Sequence, residues 1–214
     1  MELYEAKRLI RDGESDFVEF KRKLNHPEKV IREVVAFANS QGGHLFIGVD
    51  DDRTIVGSKH AEDEDFLMQQ SMKELCRPPV KYVASKFKIN EKRSLLHYHI
   101  QAGDKKPHYA FEKKQHRYGK AFVRVGDRTV QASPEIRKIL KFKNEPYDTH
   151  FSYGPNEQLI FKHLREHDHI TLSTFREVSG LAYKEASDIL VRMVMTNALK
   201  IIPKEAADWY VEAE

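Results

Sequence analysis

Apolar positions along this chain change period several times, and each change predicts an element. Phe17 to Lys21 reads as a strand, with Val18 and Phe20 facing a core and Glu19 the other way, because side chains alternate across a strand. From Pro27, which suits the first turn of a helix, Val30, Ile31, Val34, Val35, Phe37 and Ala38 follow at helical spacing. Asn39-Ser40-Gln41-Gly42-Gly43 stops that helix, since glycine takes the left-handed backbone of a helix end. Leu45 to Val49 is apolar without alternation, which predicts a short strand covered on both faces and delivering Asp50 at its carboxyl end. In open α/β sheets, ligands gather at such ends.

Glu62 to Arg77 reads as a helix with acids in its first turn, ended by Pro78-Pro79. Strands follow near Val80 to Ile89 and Leu95 to Ala102. In the second, Leu96, Tyr98 and Ile100 share one face and His97, His99 and Gln101 the other. A His-x-His pair can bind a metal, but no third ligand stands nearby in the sequence, and a half-exposed sheet face explains it more simply. Ser133 caps a short helix that runs from Pro134 to about Phe142. Turn residues over 143–155 predict a linker between a domain at 1–142 and one at 156–214. The second follows a winged helix-turn-helix pattern: helices at Glu157 to Arg165, Ser173 to Ser179 and Tyr183 to Asn197, with a turn at Gly180-Leu181, then strands at Leu199 to Pro203 and Asp208 to Val211. The fold class expected is therefore mixed α/β, a mixed sheet with flanking helices followed by that small helical domain.

Charge sharpens this division. Residues 1–150 hold 29 Lys and Arg against 23 Asp and Glu, whereas residues 151–214 hold 7 against 10. The basic surface belongs to the first domain, which directs any phosphate affinity there. The third helix of the second domain carries Lys184 and Arg192 but also Glu185 and Asp188, a poor composition for facing phosphates. A hydrophobic fraction of 40%, a charged fraction of 32% and no long apolar run predict a globular protein without a membrane span, and the charged stretch Met1 to Arg11 does not read as a signal peptide. The single cysteine, Cys76, suits a reducing, cytoplasmic setting and reads as a buried thiol.

Two stretches carry candidate chemistry. Lys105-Lys106-Pro-His-Tyr, Phe111, Lys113, Lys114, Arg117, Tyr118 and Lys120, leading to Arg124 and Arg128, interleave cations with aromatic rings, as suits a nucleic-acid backbone and its bases. The alternative is a charged hairpin that protects a sheet edge. The second candidate is Glu14, Glu19 and Asp50. Residues five apart do not share a face, so Glu14 and Glu19 meet only if the chain bends, and Gly13 permits a bend. With Glu19 and Asp50 on neighbouring strands, three carboxylates would make an oxygen-only site suited to Mg²⁺ or Mn²⁺. Otherwise Glu14 caps a turn and Asp50 to Asp52 are loop carboxylates.

The segments Glu14-Ser-Asp-Phe-Val-Glu19-Phe-Lys21, Val34-Val-Ala-Phe-Ala-Asn39-Ser-Gln-Gly-Gly43, Leu45-Phe-Ile-Gly-Val-Asp50 and Ile55-Val-Gly57 together resemble the signature of the Schlafen-type AlbA domain, over about residues 10 to 140. The Lys-Pro-x-Tyr and Val-Arg-Val-Gly segments resemble the family's closing motif. The resemblance implies an AlbA-type mixed sheet and nucleic-acid handling, with Lys21 and the later basic residues on the nucleic acid. It also implies that Glu14, Glu19 and Asp50 match the catalytic, metal-holding carboxylates of members that cleave tRNA or rRNA. Those nucleases pair two lobes, and only one is visible here, so a homo-oligomer is expected. No Walker A segment, Gly-x-Gly-x-x-Gly or Gly-x-Ser-x-Gly occurs, which leaves nucleotide-loop and serine-hydrolase chemistry without support. Two functions remain: a nucleic-acid-binding protein, RNA or DNA, acting as a transcriptional regulator, and a metal-dependent endoribonuclease acting on tRNA or other structured RNA.

Overall fold

The computed structural model describes residues 1–142 and 153–213. It divides into two compact units, Met1–Gln131 and Ala132–Glu214. In the first, helix α1 (Leu3–Asp12) precedes strand β1 (Val18–Lys21), helix α2 (Pro27–Asn39), strand β2 (Gly43–Ile47) and helix α3 (Ala61–Leu75). Strands β3 (Cys76–Arg77), β4 (Tyr82–Asn90), β5 (Arg93–Ile100), β6 (Tyr109–Ala110), β7 (Phe122–Val125) and β8 (Arg128–Gln131) complete it.

The main sheet has the order β1-β2-β5-β4; β1 and β2 run parallel, joined by the α2 crossover, and the other neighbours are antiparallel. Alternation decides which side each residue serves. Leu45, Ile47, Leu96, Tyr98 and Ile100 pack with Val34, Phe37 and Ala38 of α2 and Met68 and Met72 of α3. Val18, Phe20, Phe46 and Leu95 pack on the opposite side with Ala6 and Ile10 of α1. The central strand β2 is thus covered on both faces, as its unbroken apolar run predicts.

His97 departs from the half-exposed face expected of it. It is buried, and His44 of β2 joins it, with His44 Nδ1 and His97 Nε2 2.9 Å apart and the His44 and His99 rings stacked at 4.6 Å. Burial, and then the neighbouring imidazoles, hold His44 down to about 4 and His97 to about 3, so both rings are neutral at pH 7. Cys76 is buried as expected, though on β3 rather than within the helix, and burial pushes its thiol up to about 12. The basic stretch after Lys105 supplies only the two-residue strand β6, which pairs with β3. No helix among the described residues is long and apolar enough to cross a membrane.

The second unit contains helices α4 (Pro134–Phe142), α5 (Pro155–Glu166), α6 (Leu172–Ser179) and α7 (Tyr183–Met195), and the hairpin β9 (Leu199–Ile202) with β10 (Trp209–Glu212). Ile160, Ile170, Phe175, Leu190, Met193 and Tyr210 form its core. Gly180 ends α6 in the left-handed conformation, φ 70°, before α7 begins. The unit boundary falls at 131/132 and not at the expected 142, because α4 packs on α7: buried Glu135 accepts from Ser187 Oγ at 2.7 Å and Tyr183 OH at 3.0 Å, and Lys138 Nζ lies 2.9 Å from Asp188. Of the expected linker, residues 143–152 lie outside the described residues.

Candidate functional site

Gly13, at φ 100°, turns the chain sharply after α1, and Ser15 N–H closes the turn on Val18 O at 3.0 Å. This is the bend that bringing Glu14 to Glu19 requires. Glu14 Oε1 accepts the Phe20 amide at 3.1 Å, which lays its carboxylate over β1. Burial, and secondarily the charge of Glu19, push the Glu14 carboxyl above its usual range, with the Phe20 amide opposing.

Glu19 points away from Val18 and Phe20, as alternation predicts, but not into solvent: its side chain is 7% exposed. Its Oε1 binds Lys21 Nζ and its Oε2 binds Arg124 Nη1 at 2.8 Å. Arg124 Nη1 also reaches Glu33 Oε2 at 3.0 Å and Thr129 Oγ1 at 3.1 Å, while Nη2 donates to Ser15 O at 2.6 Å. The guanidinium lies 4.9 Å from the centre of the Phe37 ring. Burial and the repulsion of Glu19 raise the Glu33 carboxyl, against Thr129 and Arg124. Burial works against the Lys21 charge, but the attraction of Glu19 and its neighbours outweighs it, and the ammonium titrates above its usual range.

The cluster therefore consists of Glu14, Glu19 and Glu33 around Lys21 and Arg124. Asp50 lies three residues beyond β2 in a turn closed by Asp50 N–H to Thr54 O, 2.9 Å, and its carboxylate pairs with Arg22 at 3.2 Å. Among the described residues no group of three or more His, Cys, Asp or Glu is placed to hold a metal ion. As arranged, both oxygens of Glu19 face cationic side chains, a donor set that does not fit Mg²⁺ or Mn²⁺. Sequence reading did not single out Glu33, which α2 brings to Arg124 and Thr129.

The expected phosphate contacts divide. Arg124 is removed from them: its side chain is 1% exposed and it ties the turn after Gly13 and α2 to the β7–β8 hairpin. Lys21 is half-buried on Glu19, and Lys106 Nζ donates to Ser40 O. Lys105, Lys113, Lys114, Arg117, Lys120 and Arg128 are exposed. Lys114 pairs with Glu74 at 3.1 Å. Arg117 lies 5.5 Å from the ring of Tyr118, which is 78% exposed. Beneath this loop a cavity of about 260 Å³ is lined by Arg32, His116, Tyr118 and Lys120 together with Glu28 and Glu112.

The family model described as Schlafen, AlbA_2 matches residues 14–133, a span that holds the carboxylate cluster and the basic loop and ends at the start of the second unit. A crystal structure of the DIP2311 protein from Corynebacterium diphtheriae is similar at 16% identity and a TM-score of 0.46, over 91% of this chain and 34% of that one. The chain thus spans about a third of the length of that protein.

Proposed function

The chain belongs to the Schlafen AlbA_2 family, which suggests a nucleic-acid-binding or nuclease-like role, and from that premise we propose that its first unit binds nucleic acid through the loop at 112–120. The observation that carries this reading is the exposure of Lys113, Arg117, Lys120 and Tyr118 on one loop: cations for the backbone and a ring on which a base can stack. The second unit, read as a winged helix-turn-helix, contributes specificity or assembly in a transcriptional regulator. Its helix α7 meets α4 through Tyr183, Ser187 and Asp188, which favours placing the phosphate contacts in the first unit.

Full-length protein should bind single-stranded RNA, single-stranded DNA or tRNA with an affinity that falls as salt rises, and replacing Lys113, Lys114, Arg117 and Lys120 together with alanine should weaken binding alike across sequences. Fluorescence anisotropy at two salt concentrations checks this; unchanged binding by the fourfold variant removes the loop from the interface. Endoribonuclease action on structured RNA is the second reading, favoured by the juxtaposition of Glu14 and Glu19 with the Glu14 carboxyl raised. Incubating tRNA with the protein and Mn²⁺ or a chelator tests it. Glu14→Gln is the informative variant, since the amide oxygen still accepts from Phe20 N–H, whereas Glu19→Gln disturbs two ion pairs, the one with Arg124 buried.

One AlbA-type unit per chain supports assembly of two copies into a paired clamp. Light scattering at micromolar concentration should give at least twice the mass of one chain, and a monomer mass throughout would rule the clamp out.

A further inference from the structure

A different cavity, of about 400 Å³, opens where β1 and β2 end. Arg22 and Lys23 follow directly on β1. The segment Val56 to His60 leads from β2 into α3, and Arg93 opens β5 on the same edge, since Ile47 pairs with Leu96. Its wall is fixed backbone: Gly57 N–H donates to Gly48 O at 2.8 Å, Ser58 and Ser94 exchange bonds of 2.8 and 3.0 Å, and Arg93 Nη1 donates to Val56 O at 3.1 Å and Gly57 O at 2.9 Å. Gly48, at φ 107°, permits this close approach; a Cβ there would stand 2.9 Å from Gly57 Cα.

The charges do not cancel. Arg22, Lys23, Lys59 and Arg93 line or rim the cavity against two carboxylates, Glu64 within it and Asp50 on Arg22. Neither Lys23 nor Lys59 pairs with a carboxylate among the described residues, and both are exposed, so each keeps its ammonium free for a ligand. Two positive charges in excess, on a rigid backbone at the carboxyl ends of a parallel strand pair, suit phosphate.

We propose that this cavity is a phosphate-binding site, in which Lys23 and Lys59, backed by Arg22 and Arg93, hold phosphate groups of a nucleic-acid strand. The site is distinct from the loop at 112–120, and it rests on the nucleic-acid reading only for the source of the phosphate.

The test uses the full chain and the double variants Lys23→Ala/Lys59→Ala and Lys23→Glu/Lys59→Glu, whose exposed, unpaired side chains leave the fold intact. A single-stranded RNA 12-mer is titrated by anisotropy at several salt concentrations, and melting is followed with and without inorganic phosphate. The alanine pair should weaken RNA binding at least five-fold and lower the slope of log affinity against log salt by about 1.4, two contacts at about 0.7 each. The glutamate pair should abolish binding. If the variants bind RNA like the parent, but phosphate stabilises the parent and not the variants, the anion site stands with free phosphate as its occupant. RNA binding unaffected by either variant, with no response to phosphate, overturns the site and leaves the nucleic-acid reading standing. No binding of the RNA 12-mer, of single-stranded DNA or of tRNA by the parent, with no response to phosphate, overturns both.

Discussion

Replacing Arg124 with methionine should cost the protein about 3–5 kcal/mol of stability, because it leaves half-buried Glu33 without a cation and buried Glu19 with Lys21 alone. Methionine keeps the side-chain stem that packs beside Phe37, so the loss reports charge and hydrogen bonding more than volume. Glu19 retains Lys21, but Glu33 keeps only the Thr129 hydroxyl. Urea denaturation of the full chain, followed on the transition of the first unit, measures the effect. A loss below about 1 kcal/mol would mean that the network is as weak as an exposed ion pair.

The same variant has a defined pH signature. The Glu33 carboxyl is already raised in the folded protein, so its ionisation opposes folding: the stability it contributes is full below its unfolded value of 4.5 and is lost as pH rises through the folded value. Without Arg124 the folded value rises further. The gap between parent and variant should therefore be widest at neutral pH and narrow as pH falls towards 4.5. Adding Glu33→Gln to Arg124→Met should close part of the gap at pH 7 and flatten its pH dependence, since an amide carries no charge to strand.

What was legible in the sequence was local. The apolar periods of Val30 to Ala38 and Leu45 to Val49 placed α2 and β2, and Gly13 marked the bend that lays Glu14 over β1. The network around Arg124 was not legible, because Val-Arg-Val reads equally as a strand with an outward cation. Only the docking of the β7–β8 hairpin against α2 turns that cation inward onto Glu19 and Glu33. The phosphate cavity escaped for the same reason: Arg22, Lys23, Lys59 and Arg93 come from three separate segments and share no spacing. The division of the chain at 131 was hidden because the Ser133-Pro134 helix start says nothing about which core receives the helix, and Glu135 and Lys138 find their partners on α7.

Asn39 shows how a residue read as punctuation carries structure. It ends α2, yet its side chain is buried and makes three hydrogen bonds: Nδ2 donates to His108 O and Phe122 O, both at 2.9 Å, and Oδ1 accepts from His108 N–H at 2.7 Å. One amide thus joins the end of α2 to the segments before β6 and at β7, the two ends of the basic stretch. Asn39→Ala would strand two carbonyls and one N–H in the interior, at about 1–3 kcal/mol for each group left unpaired. A total loss of about 3 kcal/mol is expected, because water can reach some of them once the side chain is gone. Asn39→Asp should be no milder: it keeps the acceptor for His108 N–H, but it turns both donated bonds into contacts between an acid oxygen and a carbonyl and buries a charge. Because the clamp anchors the loop at 112–120 at both ends, hydrogen exchange at Ala110 and Lys120, whose amides bond each other's carbonyls at 2.8 and 2.9 Å, should quicken in both variants before the first unit unfolds. Exchange at those two amides unchanged from the parent would show that the loop is held by β3 and β6 alone, and that Asn39 serves only to end its helix.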